Sequence, residues 1–470
     1  MLLANFENRL LARLEAPKTL LTLGIFARVL TFLFLGPGNN DDHFGVIQLL
    51  VANGRLPLVT ETGQAYHPPL YYLLAAPFLE VFGTAKAVQF LSLSLSIASL
   101  VILYFLIYRS GLIRGRLPQL YSFFMVCFLP QFVMFSLYVS NDTLAIFLGA
   151  VIVWQSRRFI QAAGWKEGLL LAILTGLGLL TKATFLAFVP VLLALVVFMS
   201  IQRGSLAKAS WAASAFLVIV LSVGSYKFID NYLRFRDPFM TPHNLPAEWI
   251  TEHKTHYMGL RSYLDINVIR LIRSPTTLYS AAGNYTVPGY PVLLYATFFY
   301  QYIPESNFNK PFKYLASLIY VAGILPTAVF LVGLAGLGKR SSRFIKTFDP
   351  RNAEQCDELC VYVAVFLLLA NCALLFAAIV KLHDWSIMQG RLLFPSIIGV
   401  IGAFAAGVEI VCRNARAASV LNFSMISLVV LFGFYLLGEI TNQILVGVCH
   451  QNISADGWLG NLRECLAHLV

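Results

Sequence analysis

Residues 359–381, LCVYVAVFLLLANCALLFAAIVK, form one of several apolar runs that decide the fold of this chain. About 20 apolar residues wound as a helix cross the roughly 30 Å hydrocarbon core of a bilayer. Residues 183–200, ATFLAFVPVLLALVVFMS, form a second run of this kind. Repetition of such runs along the chain predicts a protein that crosses the membrane many times.

The composition agrees with this prediction and excludes other classes of protein. Of the 470 residues, 58% are hydrophobic and 12% are charged, whereas soluble proteins have about 25% charged residues. An aromatic content of 14% excludes a disordered chain, since disordered chains contain few aromatic residues. The alternating ten-residue strands of an outer-membrane barrel do not occur in the sequence. The predicted fold class is therefore an all-α integral membrane protein.

The apolar runs predict about eleven transmembrane helices, within a range of 10–13. Windows of mostly apolar residues set their limits. The predicted spans are 19–36, 87–107, 118–139, 143–156, 167–181, 183–200, 209–228, 313–336, 359–381, 392–411 and 417–440.

The basic residues predict which ends of these helices face the cytoplasm. The net charge is +11, and a basic soluble protein would suggest nucleic acid as a partner. Here Lys and Arg mostly stand at the ends of apolar runs and in alternate short loops, as the positive-inside rule describes. This pattern predicts a cytoplasmic N-terminus, contacts with anionic lipid, and no nucleic-acid partner.

Two segments between the predicted spans do not cross the membrane, and both fall on the extracytoplasmic side. Residues 37–86 include a short apolar stretch, Leu70 to Phe82, that is too short and polar to cross and predicts helices that lie in the membrane interface or re-enter the membrane. Residues 229–312 form a long loop rich in Tyr, Pro and Asn. The prediction is one polytopic domain over residues 1–440, followed by a short tail, 441–470, without a separate soluble domain.

The first extracytoplasmic loop begins with a dense polar cluster, Asp41-Asp42-His43. A carboxylate at the membrane surface, partly shielded from water, can accept a proton from a substrate hydroxyl. The alternative is structural, because an Asp that precedes an apolar-periodic run commonly caps a helix N-terminus. One Asp suffices for a cap, which leaves a role for the second Asp and for His43.

Other polar residues fall at the same level of the predicted topology. His67 stands in Tyr66-His67-Pro68-Pro69, where two prolines stiffen the backbone and an imidazole faces the mouth of the bundle. Asp142 follows Asn141 in a very short outside turn, where turn formation alone would explain both residues.

Cationic residues complete the set of candidates. Arg28 lies inside the first apolar run, where its cost in lipid requires a partner within the bundle. Lys182 and Arg391 begin or end apolar runs at the outer face, and Arg391 follows His383-Asp384 closely. With His67 they would suit a phosphate or diphosphate, although snorkelling explains Lys182 and Arg391 individually.

The order of these motifs resembles the GT-C superfamily of polytopic glycosyltransferases, in the branch of protein O-mannosyltransferases and the lipid A aminoarabinose transferase. The resemblance rests on Asp-His-Phe-Gly, Gly-Arg-Leu-Pro, Tyr-His-Pro-Pro-Leu-Tyr-Tyr, Asn-Asp, Thr-Lys and Gln-Gly-Arg-Leu-Leu-Phe-Pro in this order. The resemblance covers the ordered layout from about residue 19 to 400. The family usually has the spacing acidic–acidic–x–x–His, whereas here His43 directly follows Asp42. Alignment on His43-Phe44 would instead place Asn39-Asn40 at the acidic positions.

The resemblance implies a sugar donor carried on a polyprenyl phosphate, and transfer with inversion to an acceptor hydroxyl at the extracytoplasmic face. It assigns the general base to Asp42 or Asp41, with Asp42 preferred, and makes Asp142 the second acidic residue. His67, Lys182 and Arg391 become candidates for binding the donor phosphate. Further substrate-site candidates are His43, Arg28, His383 and Asp384.

The resemblance requires no metal or other cofactor, although a divalent cation at Asp41, Asp42 and Asp142 is compatible with some superfamily members. The expected partners are a polyprenyl-phosphate-linked sugar, a lipid, glycan or protein acceptor, and membrane lipids. The expected location is a bacterial inner (plasma) membrane. A transporter or flippase of lipid-linked sugars is the main alternative. Transporters usually show internal repeats and interrupted helices near the midplane, whereas here no repeat is evident and the polar clusters lie at one membrane face. A glycan ligase and a structural subunit are less favoured by the acidic first loop.

Overall fold

The structure is a computed structural model that describes residues 17–34, 36–37, 41–162, 164–241, 259–273, 289–300, 313–383 and 387–449. Side chains of residues 313–314 and 439–449 are not described. Residues 1–16 and 450–470, Asn39-Asn40, Asp384 and most of the loop 229–312 lie outside the described residues.

The described part of the chain is helical and contains no strand. Eighteen α-helices are named in chain order: α1 Pro17–Phe34, α2 His43–Asn53, α3 Leu70–Phe82, α4 Ala85–Tyr104, α5 Arg116–Phe128, α6 Pro130–Phe135, α7 Asn141–Ala162, α8 Trp165–Thr181, α9 Phe188–Arg203, α10 Leu206–Gly224, α11 Tyr226–Phe235, α12 Arg261–Leu264, α13 Val268–Arg273, α14 Tyr290–Phe299, α15 Lys313–Thr347, α16 Ala353–Leu382, α17 Ile397–Val411 and α18 Ala415–Cys449. A π-helical turn, Phe105–Arg109, extends α4, and 3₁₀ turns precede α9 (Ala183–Ala187) and α17 (Gly390–Ser396).

The all-helical membrane fold predicted from the sequence is confirmed, and the predicted count of eleven spans is not. Within the described residues, nine helical segments are long and apolar enough to cross a membrane. Every predicted span overlaps helix, but 209–228 runs past the end of α10 at Gly224 into α11. However, 118–139 is divided into α5 and α6, and 167–181 becomes the 17-residue helix α8.

The division between α5 and α6 has a local cause at Leu129-Pro130. Proline disfavours helical geometry in the preceding residue, and Leu129 has φ −68° and ψ 115°. In a continuous helix the Val126 carbonyl would accept a hydrogen bond from residue 130, and proline has no N–H to give. The break therefore leaves carbonyls at the end of α5 that require other donors.

Arg28 of α1 supplies those donors. Its guanidinium donates to the Val126 carbonyl at 2.9 Å and to the Cys127 carbonyl at 3.4 Å. It also donates to the Ser96 hydroxyl at 2.9 Å. The side chain is fully buried, as predicted for an Arg inside an apolar run. Arg28 thus stabilises the packing of α1, α4 and α5.

The first loop folds as two short helices that are too short to cross a bilayer. The α3 helix buries Tyr71, Tyr72 and Ala75 against the bundle and exposes Leu73 and Leu74. Tyr71 hydrogen-bonds the Ser92 hydroxyl of α4 at 3.2 Å. These contacts fix the loop on one end of the bundle, consistent with the predicted interfacial helices.

The 3₁₀ turn before α17 approaches α7 more closely than side chains normally allow. A Cβ atom at Gly149 of α7 would overlap the backbone carbonyl of Pro395. Small residues permit such backbone contacts between membrane helices. Gly149 therefore sets the position of residues 390–396 against α7.

Candidate functional site

Two carboxylates and two cations meet at the end of the bundle that carries the first loop. Asp41 forms an ion pair with Arg391, and Asp142 forms an ion pair with Lys182. A second Arg391 contact, 3.6 Å to Asp142, joins the two pairs. We call these four residues the ion quartet. Sequence analysis predicted all four as site residues, and the fold brings them together.

Each member of the quartet comes from the end of a helix. Asp41 lies before α2, Asp142 is in the first turn of α7, Lys182 follows the last residue of α8, and Arg391 lies in the turn before α17. Antiparallel helices in sequence order bring alternate ends to the same face of the bundle. The Gly149 contact then brings Arg391 to Asp142, and the guanidinium also lies over the Phe135 ring, 4.7 Å from its centroid.

The four side chains of the quartet differ in their exposure to solvent. The exposed side-chain fractions are 2% for Asp142, 7% for Lys182 and 8% for Arg391. Asp41 is 20% exposed. The two ion pairs balance the two carboxylates against the two cations, which is the usual condition for burying charge. Asp41 is the carboxylate within this set that a substrate can reach most readily.

His43 and His67 lie beside the quartet. The His43 Nδ1 atom and the Tyr72 hydroxyl are 2.8 Å apart and hydrogen-bonded. The two imidazole rings stack with centroids 5.3 Å apart. Tyr72 was not predicted as a site residue, yet it is buried and contacts the site. Its place in the same Tyr-His-Pro-Pro-Leu-Tyr-Tyr motif as His67 was the signal for a site role.

The environment changes the pKa values of the loop residues. Burial raises the pKa of the Asp41 carboxyl, but Arg391 and His43 together outweigh burial, so the pKa lies below its ordinary value. Burial lowers the pKa of His43 to about 4. Burial, assisted by neighbouring cations, lowers the pKa of His67 well below its ordinary value. At neutral pH the loop thus holds an ionised Asp41 beside two neutral imidazoles.

Asp42 has different contacts from Asp41. It is the N-cap of α2, and its carboxylate accepts a hydrogen bond from the Gly45 N–H at 3.0 Å. Its side chain is exposed. This is the capping role that the sequence offered as the alternative to catalysis.

Two of the remaining candidates, Arg28 and His383, make structural contacts. Arg28 contacts Ser96 and backbone carbonyls, as described above. His383 ends α16 in the left-handed region at φ 54°, and its N–H donates to the Ile379 carbonyl at 2.8 Å. Asp384 lies outside the described residues.

The three carboxylates proposed for a divalent cation do not fit one. Asp41 and Asp142 each form an ion pair, and Asp42 accepts from a backbone N–H. A divalent cation would have to compete with Arg391 and Lys182 for the same oxygens. Across the described ranges, no three His, Cys, Asp or Glu side chains cluster in a way that could hold a metal ion.

A comparison with protein families supports the resemblance drawn from the sequence. Residues 66–226 match the family model described as dolichyl-phosphate-mannose-protein mannosyltransferase. This region contains His67, Asp142 and Lys182, whereas Asp41 and Arg391 lie outside it. The predicted resemblance to GT-C glycosyltransferases is confirmed over these residues.

The chain is also similar to solved structures, at low sequence identity. The apo oligosaccharyltransferase of Archaeoglobus fulgidus is 14% identical, with a TM-score of 0.48 over 90% of this chain and 56% of its own. The same organism's AglB, in complex with an inhibitory peptide and a dolichol-phosphate, is 11% identical, with a TM-score of 0.47 over 94% and 58%. ArnT of Cupriavidus metallidurans, bound to undecaprenyl phosphate, is 14% identical, with a TM-score of 0.38 over 86% and 80%.

This chain therefore spans a little over half the length of the oligosaccharyltransferases that it matches. No curated protein matches it.

Proposed function

We propose that this protein transfers a sugar from a polyprenyl-phosphate donor to an acceptor hydroxyl at the end of the bundle that carries the ion quartet. The observation that carries the proposal is an ionised and partly accessible Asp41 held by the buried Arg391. The family match over residues 66–226 supports the sugar-transfer class and a lipid-phosphate donor.

The proposed reaction needs one base and correct positioning. The acceptor oxygen forms a bond to the anomeric carbon, the bond from that carbon to the phosphate oxygen breaks, and the acceptor proton moves to Asp41. Attack opposite the leaving group inverts the anomeric configuration. Polyprenyl phosphate leaves as an anion, so cationic groups near it lower the barrier.

Asp41 is the better-supported base, although the sequence favoured Asp42. Asp41 belongs to the quartet, whereas Asp42 is engaged in capping α2. Asp142 is almost fully buried, so its proposed role is to position Lys182 and Arg391. Arg391 in turn fixes the Asp41 carboxylate, which is the positioning that general-base catalysis requires.

Lys182 and Arg391 remain proposed contributors to donor-phosphate binding, together with His67. Their charges are matched by Asp142 and Asp41, so the quartet has no excess positive charge. A phosphate at this site would therefore benefit from a further cation close by. The acceptor is proposed to be a lipid, glycan or protein hydroxyl.

The proposed location is a bacterial inner membrane with the quartet on the extracytoplasmic side. Basic residues at the opposite helix ends support this orientation, among them Arg109, Arg157, Arg203, Lys339 and Arg413.

Two single variants, Asp41→Asn and Asp42→Asn, test the proposal. Asparagine is as good an N-cap as aspartate, so Asp42→Asn keeps the fold and serves as a matched control. We expect Asp41→Asn to reduce transfer by ~10²-fold or more, the range typical of a lost general base, and Asp42→Asn to remain near wild type. The assay measures transfer from radiolabelled polyprenyl-phosphate sugars to a membrane extract, after thermal stability and carrier binding have been compared.

The opposite pattern would identify Asp42 as the base and refute the assignment to Asp41. Normal transfer by both variants would exclude a first-loop carboxylate as base. If the wild type moves the carrier between leaflets of a vesicle without transferring sugar, the flippase alternative replaces the proposed function.

A further inference from the structure

The 3₁₀ turn Gly390–Ser396 carries Arg391, the cation that fixes the Asp41 carboxylate in the proposed function. A 3₁₀ turn has poorer hydrogen-bond geometry than an α-helix. The residue at the N-cap of this turn, Gln389, provides no side-chain hydrogen bond to it. The position of Arg391 therefore depends on contacts between the turn and neighbouring helices.

Thr297 of α14 holds the residue before Arg391. The Gly390 N–H donates a hydrogen bond to the Thr297 hydroxyl oxygen at 2.8 Å. The Thr297 hydroxyl donates its own proton to the Leu293 carbonyl at 2.7 Å, and the side chain is fully buried. A Cβ atom at Gly390 would overlap the backbone of Phe298, so the two backbones are in direct contact at this point.

Asn371 of α16 holds the residue after Arg391. Its side-chain amide donates to the Leu392 carbonyl at 2.8 Å and to the Ser396 hydroxyl at 3.4 Å. Asn371 is fully buried and interrupts the apolar run 359–381. Burying a polar side chain costs free energy unless it is hydrogen-bonded. Contact with the turn is therefore the role that the structure gives to this asparagine.

The ionisation of Asp41 reports where Arg391 lies. Burial raises the pKa of the Asp41 carboxyl, and the nearby Asp142 acts in the same direction. Arg391 and His43 outweigh both, so the pKa lies below its ordinary value. Displacement of Arg391 would therefore raise the pKa of Asp41.

We propose that Thr297 and Asn371 are positioning residues that fix Arg391 against Asp41 from the two sides of the turn. The inference rests on the proposed function, in which Asp41 is the base. In the part of the chain that the structure describes, neither side chain hydrogen-bonds a member of the ion quartet, so both act through the turn. Because α14 lies within the predicted loop 229–312, this loop contributes to the site through Thr297.

The test is kcat/KM for sugar transfer by the purified full chain, measured as a function of pH with a radiolabelled polyprenyl-phosphate sugar. Thr297→Val keeps the shape of the side chain and removes the hydroxyl, whereas Thr297→Ser keeps the hydroxyl. Thr175→Val in α8 is the matched control. Thr175 is also fully buried and donates to the carbonyl four residues earlier, Leu171, at 2.7 Å, but it holds no second element.

We expect Thr297→Val to lower kcat/KM by about tenfold, the size of effect expected for one lost buried hydrogen bond. The acid limb of the pH profile reports the pKa of the base. It should move to higher pH by about half a unit or more, because Asp41 loses part of its stabilisation by Arg391. Asn371→Leu should move the limb in the same direction.

Thr297→Ser and Thr175→Val should keep the wild-type limb and a rate within about threefold of wild type. A purely structural role for Thr297 would reduce the amount of folded protein and scale the rates equally at every pH, without moving the limb. An unmoved limb in Thr297→Val would therefore refute the positioning role. An equal shift in Thr175→Val would refute it as well.

A double variant shows whether Thr297 acts through Arg391. In an Arg391→Lys background, Thr297→Val should reduce kcat/KM by much less than in wild type, because coupled residues are not additive. Fully additive losses would overturn the proposal. If Asp41→Asn transfers normally while these two losses remain non-additive, the base is wrong and the positioning of Arg391 stands.

The same cycle can be measured without sugar transfer. If the wild type transfers no sugar, the shifts in the midpoint of thermal unfolding are compared for Thr297→Val, Arg391→Lys and the double variant. Non-additive shifts would support the link between Thr297 and Arg391 although the proposed function fails. Additive shifts would overturn it.

Discussion

Both ends of helix α7 carry an ion pair, but the two pairs differ in burial and partners. At one end Asp142 is 2% exposed and lies in a quartet with Lys182, Arg391 and Asp41. At the other end Arg157 pairs with Asp357 at 2.8 Å, with side chains 19% and 12% exposed. Arg157 also donates to the Ser110 carbonyl. The same residue types thus produce a buried charge cluster at one end and a link between helix ends at the other.

This difference indicates what each end contributes. An ion pair that fastens helices needs only two partners and tolerates water, as at Arg157 and Asp357. The quartet instead contains two carboxylates and leaves one of them, Asp41, partly accessible. A cluster of this kind costs desolvation energy that simple packing would avoid, which is consistent with selection for chemistry.

Removing one charge from each pair should produce the largest difference between the two ends. Asp142→Asn leaves Lys182 and Arg391 buried with a single carboxylate, which we expect to cost about 3–5 kcal/mol. Asp357→Asn removes a more accessible partner, with an expected cost of about 1–2 kcal/mol. Thermal unfolding in detergent and the yield of folded protein would measure both costs.

A double variant checks the electrostatic explanation. Asp142→Asn combined with Lys182→Met restores the balance of charge and should regain part of the lost stability, although sugar transfer should remain low. A double variant less stable than Asp142→Asn would show that packing, and not charge balance, governs this end of α7. Equal costs for Asp142→Asn and Asp357→Asn would remove the contrast between the ends.

The pH dependence of stability should also differ between the ends, because only the quartet end contains buried histidines in the described part of the chain. The pKa of His43 is lowered to about 4, below its value of about 6.5 in an unfolded chain. Its stabilising contribution is therefore complete above pH 6.5 and is lost as the pH falls toward 4. One pKa unit corresponds to ~1.4 kcal/mol, so the loss should reach a few kcal/mol.

His43→Gln should reduce this loss, since glutamine keeps a hydrogen-bonding group for Tyr72 and does not titrate. The measurement is the midpoint of thermal unfolding between pH 4.5 and 7.5 for both proteins. A wild-type midpoint that is constant over this range would contradict the lowered pKa. Asp357→Asn is the control, and its pH profile should parallel that of wild type.

Sequence analysis found the architecture and most of the site because membrane helices and charged residues at their ends leave strong local signals. Apolar length predicted where helices lie, and motif order predicted that Asp41, Asp142, Lys182 and Arg391 share one face. The break at Leu129-Pro130 was missed because apolar residues on both sides conceal it.

The sequence could not separate Asp41 from Asp42, because adjacent residues with the same side chain differ only in what they contact. The burial of Lys227 was also not predicted. This residue stands three residues beyond the end of α10, where an interfacial lysine is ordinary. Its burial depends on how α11 folds against the first loop, and no local pattern encodes that contact.

A substitution midway along α7 should alter the contacts at one end of the helix and not at the other. Of the changes discussed, we expect it to have the smallest effect. Gly149 lies between Asp142 and Arg157, and an added Cβ would meet the Pro395 carbonyl. We expect Gly149→Ala to cost about 1–3 kcal/mol by overpacking. Because Pro395 belongs to the turn that carries Arg391, the displacement should weaken the Arg391 contacts with Asp41 and Asp142. The Arg157–Asp357 pair should persist.

Gly338→Ala in α15 is the matched control, because nothing lies within 4 Å of the added Cβ. That change should be neutral or stabilise slightly, since alanine favours helix over glycine. Cysteine pairs introduced near each end of α7 and spin-labelled would report the two sets of distances. If Gly149→Ala shifts the distances at both ends equally, α7 moves as a rigid rod. A shift at the quartet end alone, accompanied by reduced transfer, would show that the contact between Gly149 and Pro395 positions Arg391.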